Sequence, residues 1–523
     1  MSGRLGLYVN TVRYMKPGQI FRRIGKRLGM KCALPGAHPA RHSGRGYLIP
    51  IPELDFDPVF LSRFDPDALM RDLVTLLHIT EHIDWESRWL LKHRTPLWNF
   101  NLHYFEYLHP LTKFYLDTGN EAALRKTIQI ICGWIHQNPP EKGGVGWTPY
   151  TVSLRLTNWM GYLAVLGDKL DLSFRKEMED SMFSQYVFLS QHLEKDILGN
   201  HYFENLKTLV LCALFFRDEA SLPVFLRALR KECREEILPD GMHFELSPMY
   251  HKIVLEGLIR VTAALRAEHR EDPDLENLVQ DMLDAAYTME HGLSRTPLFN
   301  DSGDNVAKSL NGLLAAAQTH LGLIPAKKDS LPSSGYYFFE QGPWKLIVDA
   351  GAAGPDYIPG HSHCDAMSFE LFRSGEPFLV NCGTFAYQCG SRHWFRITQA
   401  HNTVQVMDVE QSEIWGTFRL GRRSKNRVLE VLEQGIRMEM TDYRGNPIHR
   451  ELILTEDSLR IKDTAPGLTL QSHLHSIHDT EIISSAEICC NNADYAPEYG
   501  LLHKINHFTA TAADCIELTV PLA

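Results

Sequence analysis

The sequence predicts a helical half followed by a half built of antiparallel β-strands, and three observations carry that prediction. From about residue 66 to 325, apolar residues recur at helical spacing, as in Leu124, Ile128, Ile131 and Ile135, or Leu255, Leu258, Val261 and Leu265. Near Ser330-Leu331-Pro332-Ser333-Ser334-Gly335 that period stops. Beyond it, short apolar runs alternate with turn signals such as Glu433-Gln434-Gly435 and Glu456-Asp457. Helices first and strands second implies separate domains rather than an interleaved α/β sheet.

Residues 1–60 contain Pro35, Gly36, Pro39, Gly44, Gly46, Pro50 and Pro52 and are expected to form an irregular lead-in. Within them, residues 18–28 place Ile20, Phe21, Ile24 and Leu28 on one side of a basic amphipathic helix. That helix is expected to dock on the body, with contact to a membrane surface as the other reading. Residues 61–330 form the helical domain, whose segments are separated by Gly, Pro and Asn without a strict repeat. Residues 331–523 form the strand domain. Its strands are expected at 336–340, 344–349, 368–372, 378–380, 428–433, 435–441, 451–455 and 458–462.

At 523 residues the chain is long enough for at least two cores. A composition of 44% hydrophobic and 22% charged residues is that of an ordinary globular protein. The net charge of −11 supplies no basic field for DNA or RNA, which argues against a nucleic-acid partner. Any polyanion site must be locally basic, with Arg155, Arg392, Arg396, Arg419, Arg422 and Arg423 as candidates. No run of about 18 apolar residues is present, so no membrane span is expected. No apolar stretch follows the basic residues between Arg4 and Arg27, so a cytoplasmic location is expected, with the periplasm as alternative. Ten cysteines are scattered without a CxxC pair, which fits a reducing compartment better than a disulfide framework.

Chemistry concentrates in residues 360–404, in Gly360-His361-Ser362-His363-Cys364-Asp365, Asn381-Cys382-Gly383-Thr384 and His401-Asn402-Thr403-Val404. Read as strand, the first block points His361, His363 and Asp365 to one face. Such a cluster suits a metal site or an acid/base site. In the helical half, Gly199-Asn200-His201 opens a helix in which Asn200, Glu204 and Lys207 share a face, with Asn200 also a natural N-cap. Ser247-Pro248 reads as an N-cap followed by a first helical proline, which puts Tyr250 in the first turn. The helix dipole there would lower the phenol pKa toward phenolate. Asn300-Asp301-Ser302-Gly303-Asp304-Asn305 reads as a turn.

These residues resemble the heparinase II/III family of polysaccharide lyases, which includes heparin and heparan lyases and related alginate lyases. The resemblance runs from about Trp98 to Trp415. It rests on residues 147–155 (Trp-Thr-Pro-Tyr-Thr-Val-Ser-Leu-Arg), Asn200-His201, residues 247–251 (Ser-Pro-Met-Tyr-His), and above all the H-x-H-x-D block at 361–365 with Arg396 to Val404. It implies an incomplete α/α toroid followed by an antiparallel β-sandwich, with the active cleft between them. It also implies β-elimination on a uronic-acid-containing acidic polysaccharide or oligosaccharide. A non-catalytic binding or assembly factor on the same fold is the alternative. The segment 8–14 is similar to members associated with surface-polysaccharide assembly.

Matched residue by residue, the resemblance implies that Asn200 neutralises the substrate carboxylate, that Tyr250 is the catalytic tyrosine and that His361 is the histidine beside it. His401 is a further catalytic candidate. Arg155, His201, Glu245 and Arg396, in or beside the matched motifs, are the expected substrate-binding residues. No cofactor is required. His363, Asn381 and His401 match positions that hold a structural zinc in some members. Asn381 stands where the family usually has aspartate, and a neutral amide is the poorer ligand. Weak or absent zinc is therefore expected, unless Asp365 substitutes or holds a histidine from behind. The short tail after Ser484 suggests a trimmed sandwich.

Overall fold

Side chains that cap helices set where the long helices of the first half begin. Asn120, Ser247, Asp272 and Ser309 each accept a backbone N–H from the following turn, and Pro248 and Pro273 sit at the first helical position. In the computed structural model, which describes residues 3–42 and 49–522, helices dominate up to Leu321 and strands from Ser330 onward. The helix Gly199–Phe215 is buried on nearly every side, so it carries no amphipathic stripe. The helix Pro248–Ala267 packs against it and against Pro273–Glu290 and Leu310–Leu321.

Two parts of this half differ from the sequence reading. The first 60 residues, expected to be irregular, carry α1 (Arg4–Val12) and α2 (Pro17–Arg27), then short helices at Pro52–Asp55 and Pro58–Leu61. Gly44 and Gly46 of the expected lead-in lie outside the described residues. α2 docks on the body: buried Gln19 donates to the carbonyls of Tyr357 at 3.2 Å and Ile197 at 3.4 Å. A hairpin of Leu73–Leu76 with Ile79–His82 interrupts the helices. Its two-residue turn puts Leu77 and His78 at φ 51° and 58°, and neither residue type signals such a turn.

The strand half is one large curled sheet with antiparallel ladders, plus a separate two-stranded hairpin of Ile414–Trp415 with Arg419–Leu420. Along Pro447–Leu454 alternate residues Ile448, Arg450, Leu452 and Leu454 turn inward. Arg450 is tolerated in the core because Asp463 meets it at 2.7 and 2.9 Å. The tail after Ser484 is not a remnant. It supplies Glu487–Tyr495 and His503–Pro521, and the latter pairs along Ser458–Ser476 with a bulge between Ala465 and Thr469. The segment 361–365 is a loop rather than a strand, so the expected common face does not exist.

Two buried histidines in the helical half make stability depend on pH. His251 accepts from the His243 backbone N–H at 3.1 Å, and its Nε2 meets the Met282 carbonyl at 2.9 Å. Burial pushes His243 down to about 4 and His251 down to about 3. The unfolded chain, titrating near 6.5, therefore takes up protons before the folded one as pH falls. Stability from each site is complete above about pH 6.5 and declines below it, by about 1.4 kcal/mol per pH unit. The melting-temperature advantage of the native protein over His251→Asn should accordingly shrink between pH 7 and 5. An advantage that is constant with pH would contradict the assignment.

Candidate active site

The cleft between the two halves has a volume of about 520 Å³, within the range of small-molecule and sugar sites. Its floor begins at Gly199, which has φ +58°. A Cβ there would meet Glu245 Oε1 at 2.3 Å, so only glycine lets that carboxylate approach the helix start. Glu245 accepts from the Asn200 backbone N–H at 3.0 Å and from Asn200 Nδ2 at 3.2 and 3.1 Å. Asn200 is therefore not the N-cap, a position held by Leu198. Its amide is pinned by Glu245 and also lies 3.3 Å from His361 Nε2.

His361 is oriented from behind by Asp301, whose Oδ2 lies 3.0 Å from Nδ1. That leaves Nε2 as the ring atom facing Asn200 and the cleft. Asp301 also meets His363 Nε2 at 2.8 Å, Thr384 Oγ1 at 3.1 Å and the Arg392 guanidinium through both oxygens, with Nη2 at 2.7 Å. Burial alone would raise the Asp301 pKa. Arg392 and the hydrogen bonds from His361 and His363 outweigh it and hold the carboxyl well below its ordinary value. The residue read as part of a turn is thus the anionic hub of the site.

Tyr250 enters from the helix that Ser247 caps. Ser247 Oγ accepts from the Tyr250 N–H at 3.2 Å and donates to the Asp301 carbonyl at 2.8 Å, tying that helix to the hub. The Tyr250 ring lies 4.0 Å from the His361 ring, centroid to centroid. Its hydroxyl is 2.7 Å from that of Tyr387, which is 2.7 Å from that of Tyr499. The expectation of a lowered phenol pKa is corrected here. Burial, with Tyr499 and Asp301 nearby, pushes Tyr250 well above its ordinary value and overrides the helix dipole.

The other expected site residues divide. His201 and Glu245 line the cleft, His201 with Nδ1 3.2 Å from Glu194 and its ring 4.5 Å from that of Tyr150. Arg155 does not reach it: the side chain is fully buried under Trp134, bonded to Gln185 at 2.8 Å and the His103 carbonyl at 3.3 Å. Arg396 ties loops together through the carbonyls of Ser362, Gly416 and Thr417. His401 is buried away from the cleft lining, with its ring 5.2 Å from that of His363.

The donors that cluster are His363, Asp365 and His401, with ligand atoms within 4.8 Å of one another. Asn381 turns its Oδ1 to the Asn402 N–H at 3.2 Å instead. The fit to a cation is good. His363 Nδ1 and both His401 ring nitrogens are buried without a hydrogen-bond partner. Asp301 on His363 Nε2 is the outer partner that a ligating histidine needs. The weak-zinc expectation rested on Asn381 and on a count of two convincing ligands; Asp365 makes three of the roughly four that a closed structural shell takes.

Sequence reasoning missed Asp301, Tyr387 and Tyr499. Asp301 sits in a run of turn-forming residues, Tyr387 in an irregular stretch, and Tyr499 in the tail. No local sequence signal pointed to Asp301, whose contacts with His361 and His363 span some 60 residues.

Two family models cover most of the chain. The heparinase II/III N-terminus matches residues 68–329, and the heparinase II/III-like C-terminal model matches residues 324–491. A heparin-sulfate lyase of Pedobacter heparinus is 24% identical over 62% of this chain and 54% of its own length. One of Bacteroides thetaiotaomicron is 22% identical over 62% and 53%. The chain thus spans about half the length of the curated relatives it matches. A crystal structure of heparinase III shares the fold, with a TM-score of 0.70 at 16% identity over 97% of this chain and 92% of that one. With both models matched in order across the helical and strand halves, the chain belongs to the heparinase II/III family.

Proposed function

We propose that the protein is a polysaccharide lyase that splits a uronic-acid-containing polysaccharide by β-elimination. The observation that carries this reading is the meeting of Asn200, Tyr250 and His361, from three distant segments, in one cleft. The reaction removes a weakly acidic proton beside a carboxylate. Neutralising that carboxylate stabilises the enolate-like intermediate. Asn200 presents an N–H for this task. When the substrate carboxylate takes it, His361 Nε2 loses that contact, keeps Glu245 Oε2 at 3.4 Å and serves as the base, with Asp301 and Glu245 stabilising the charge it gains. Tyr250 is a neutral phenol at rest and serves as the acid that protonates the departing glycosidic oxygen. The proton that Tyr250 gives up is replaced from water, relayed through the Tyr387 and Tyr499 hydroxyls. A non-catalytic binding factor would not need this constellation.

The test is a screen of purified protein against uronate polymers, including heparan sulfate, chondroitin, hyaluronan and alginate. Growth of the ultraviolet absorbance of an unsaturated uronate supports the reading, and its absence on every polymer counts against it.

We further propose that His363, Asp365 and His401 hold a structural zinc. Bound there, it would cross-link the 361–365 loop to the 401–403 segment and take no part in the chemistry. Zinc added to chelator-treated protein should raise the melting temperature, and His401→Ala should remove the rise. No rise in the native protein would contradict the site.

A further inference from the structure

The charges inside the cleft nearly cancel. Arg63 pairs with Glu106 at 2.9 Å, Lys207 pairs with Glu204, and Lys308 is buried among Glu256, Glu106 and Asp55. Among the described residues, the remaining Lys or Arg on the cleft wall is Arg23, which comes from α2. This part of the chain is unusual in charge. Before Glu53 the sequence has ten Lys and Arg and no Asp or Glu, although the whole chain carries −11. It also lies ahead of residue 68, where the family match begins.

The two helices bridge both halves of the molecule beside the cleft. α1 grips the hairpin of Ile414–Trp415 with Arg419–Leu420. Asn10 donates to Glu413 at 2.9 Å, Trp415 Nε1 donates to Thr11 at 3.0 Å, and the Tyr8 and Trp415 rings meet edge to face at 4.8 Å. α2 is held on the helical half through Gln19 and through Lys26, 3.3 Å from Asp196. Arg423 and Arg422 of the neighbouring segment are spent on Asp356 and Glu413. Arg419 is not. It is exposed, with its guanidinium 4.6 Å from the Trp415 ring and 5.4 Å from that of Tyr8. Arg23 donates to the Asp196 carbonyl at 3.2 Å. The Asp196 carboxylate, which Lys26 meets at 3.3 Å, attracts Arg23, and Arg419 opposes that attraction more weakly. Phe418, between the hairpin strands, is 40% exposed and lines the cleft, with its ring 5.3 Å from that of Tyr387.

We propose that α1, α2 and the 414–420 hairpin build an anion-binding subsite at the mouth of the cleft, where Arg23 and Arg419 hold an acidic sugar beyond the one being cleaved. The inference rests on the lyase reading for the identity of its ligand. The single carboxylate of Asp196 faces both Arg23 and Lys26, and among the described residues Arg419 has no carboxylate partner, so an added anion finds net positive charge here, and a polyuronate supplies carboxylates at regular spacing. Phe418 offers the face on which an intervening sugar ring packs. The subsite gives a nearly neutral cleft its attraction for a polyanion.

The test measures binding of a length series of alginate and heparan sulfate oligosaccharides to the full chain and to Arg23→Gln/Arg419→Gln. Both side chains are exposed, and unchanged thermal melting verifies the fold. The native protein should bind long oligosaccharides about tenfold more tightly than the variant, the size expected for two surface charge contacts. The shortest oligosaccharides should bind both proteins alike. Arg23→Lys/Arg419→Lys should restore most of the loss, and about 1 M salt should erase the difference. Equal affinity for long oligosaccharides in native protein and variant would overturn the subsite while leaving the lyase reading intact. If the variant instead loses only its binding to phosphatidylglycerol vesicles, the clamp serves a lipid surface and the subsite is likewise overturned. No binding of either series by the native protein would count against both readings.

Discussion

Tyr250→Phe should cut elimination by a factor of ~100 to ~10,000, while the protein folds and melts nearly as the native one does. The large effect follows from the chemistry, because removing a positioned acid forfeits most of what general acid catalysis supplies, typically a factor of ~100 to ~10,000. The small structural effect follows from the surroundings. The ring stays packed against His361, and the loss is one hydroxyl contact with Tyr387, worth about 1 kcal/mol. Initial rates by ultraviolet absorbance together with a thermal melt check both halves. Full activity in the variant would remove Tyr250 from the mechanism.

Asp301→Asn should be damaging in two ways at once. Asn keeps the shape but removes the charge that Arg392 and His363 face, and a broken buried pair costs about 3–5 kcal/mol. It also offers an amide N–H to a His361 nitrogen that now meets a carboxylate oxygen. The imidazole is then held in the wrong tautomer or turned, so turnover should fall by a factor of ~100 or more even where the fold survives. Urea titration reads the first effect and initial rates at low temperature read the second. Because the Asp301 carboxyl is held well below its ordinary range, its stabilising contribution is present above about pH 4 and is lost as pH falls through the depressed folded value. The variant should lack that acid transition. A variant as stable and as active as the native protein would show that Asp301 is not the hub.

The division into helices and strands was legible because burial writes its period into the chain. The expected strands at 344–349 and 435–441 coincide with Trp344–Asp349 and Gly435–Thr441. The cap at Ser247 and the first-turn position of Tyr250 were legible because Ser-Pro is a strong local signal. The strand-face argument for His361, His363 and Asp365 failed since these residues are in a loop. The two histidines converge only because Asp301 reaches both from a segment some 60 residues away. Arg155 and Arg396 read as surface cations available to a polyanion. A sequence window does not show that Trp134 covers one and that loop carbonyls absorb the other. The burial of Tyr250, which reverses the expected direction of its pKa, likewise depends on Tyr387 and Tyr499 from the other half of the molecule.

The account stands on bond cleavage by elimination, and the most direct measurement is product mass after digestion of a uronate polymer in water enriched in heavy oxygen. Elimination adds no water. The two fragments should together have the mass of the intact chain, one should end in an unsaturated uronate, and neither should carry heavy oxygen. Incorporation of one heavy oxygen per cleavage would mean hydrolysis and would contradict the roles assigned to Asn200, Tyr250 and His361.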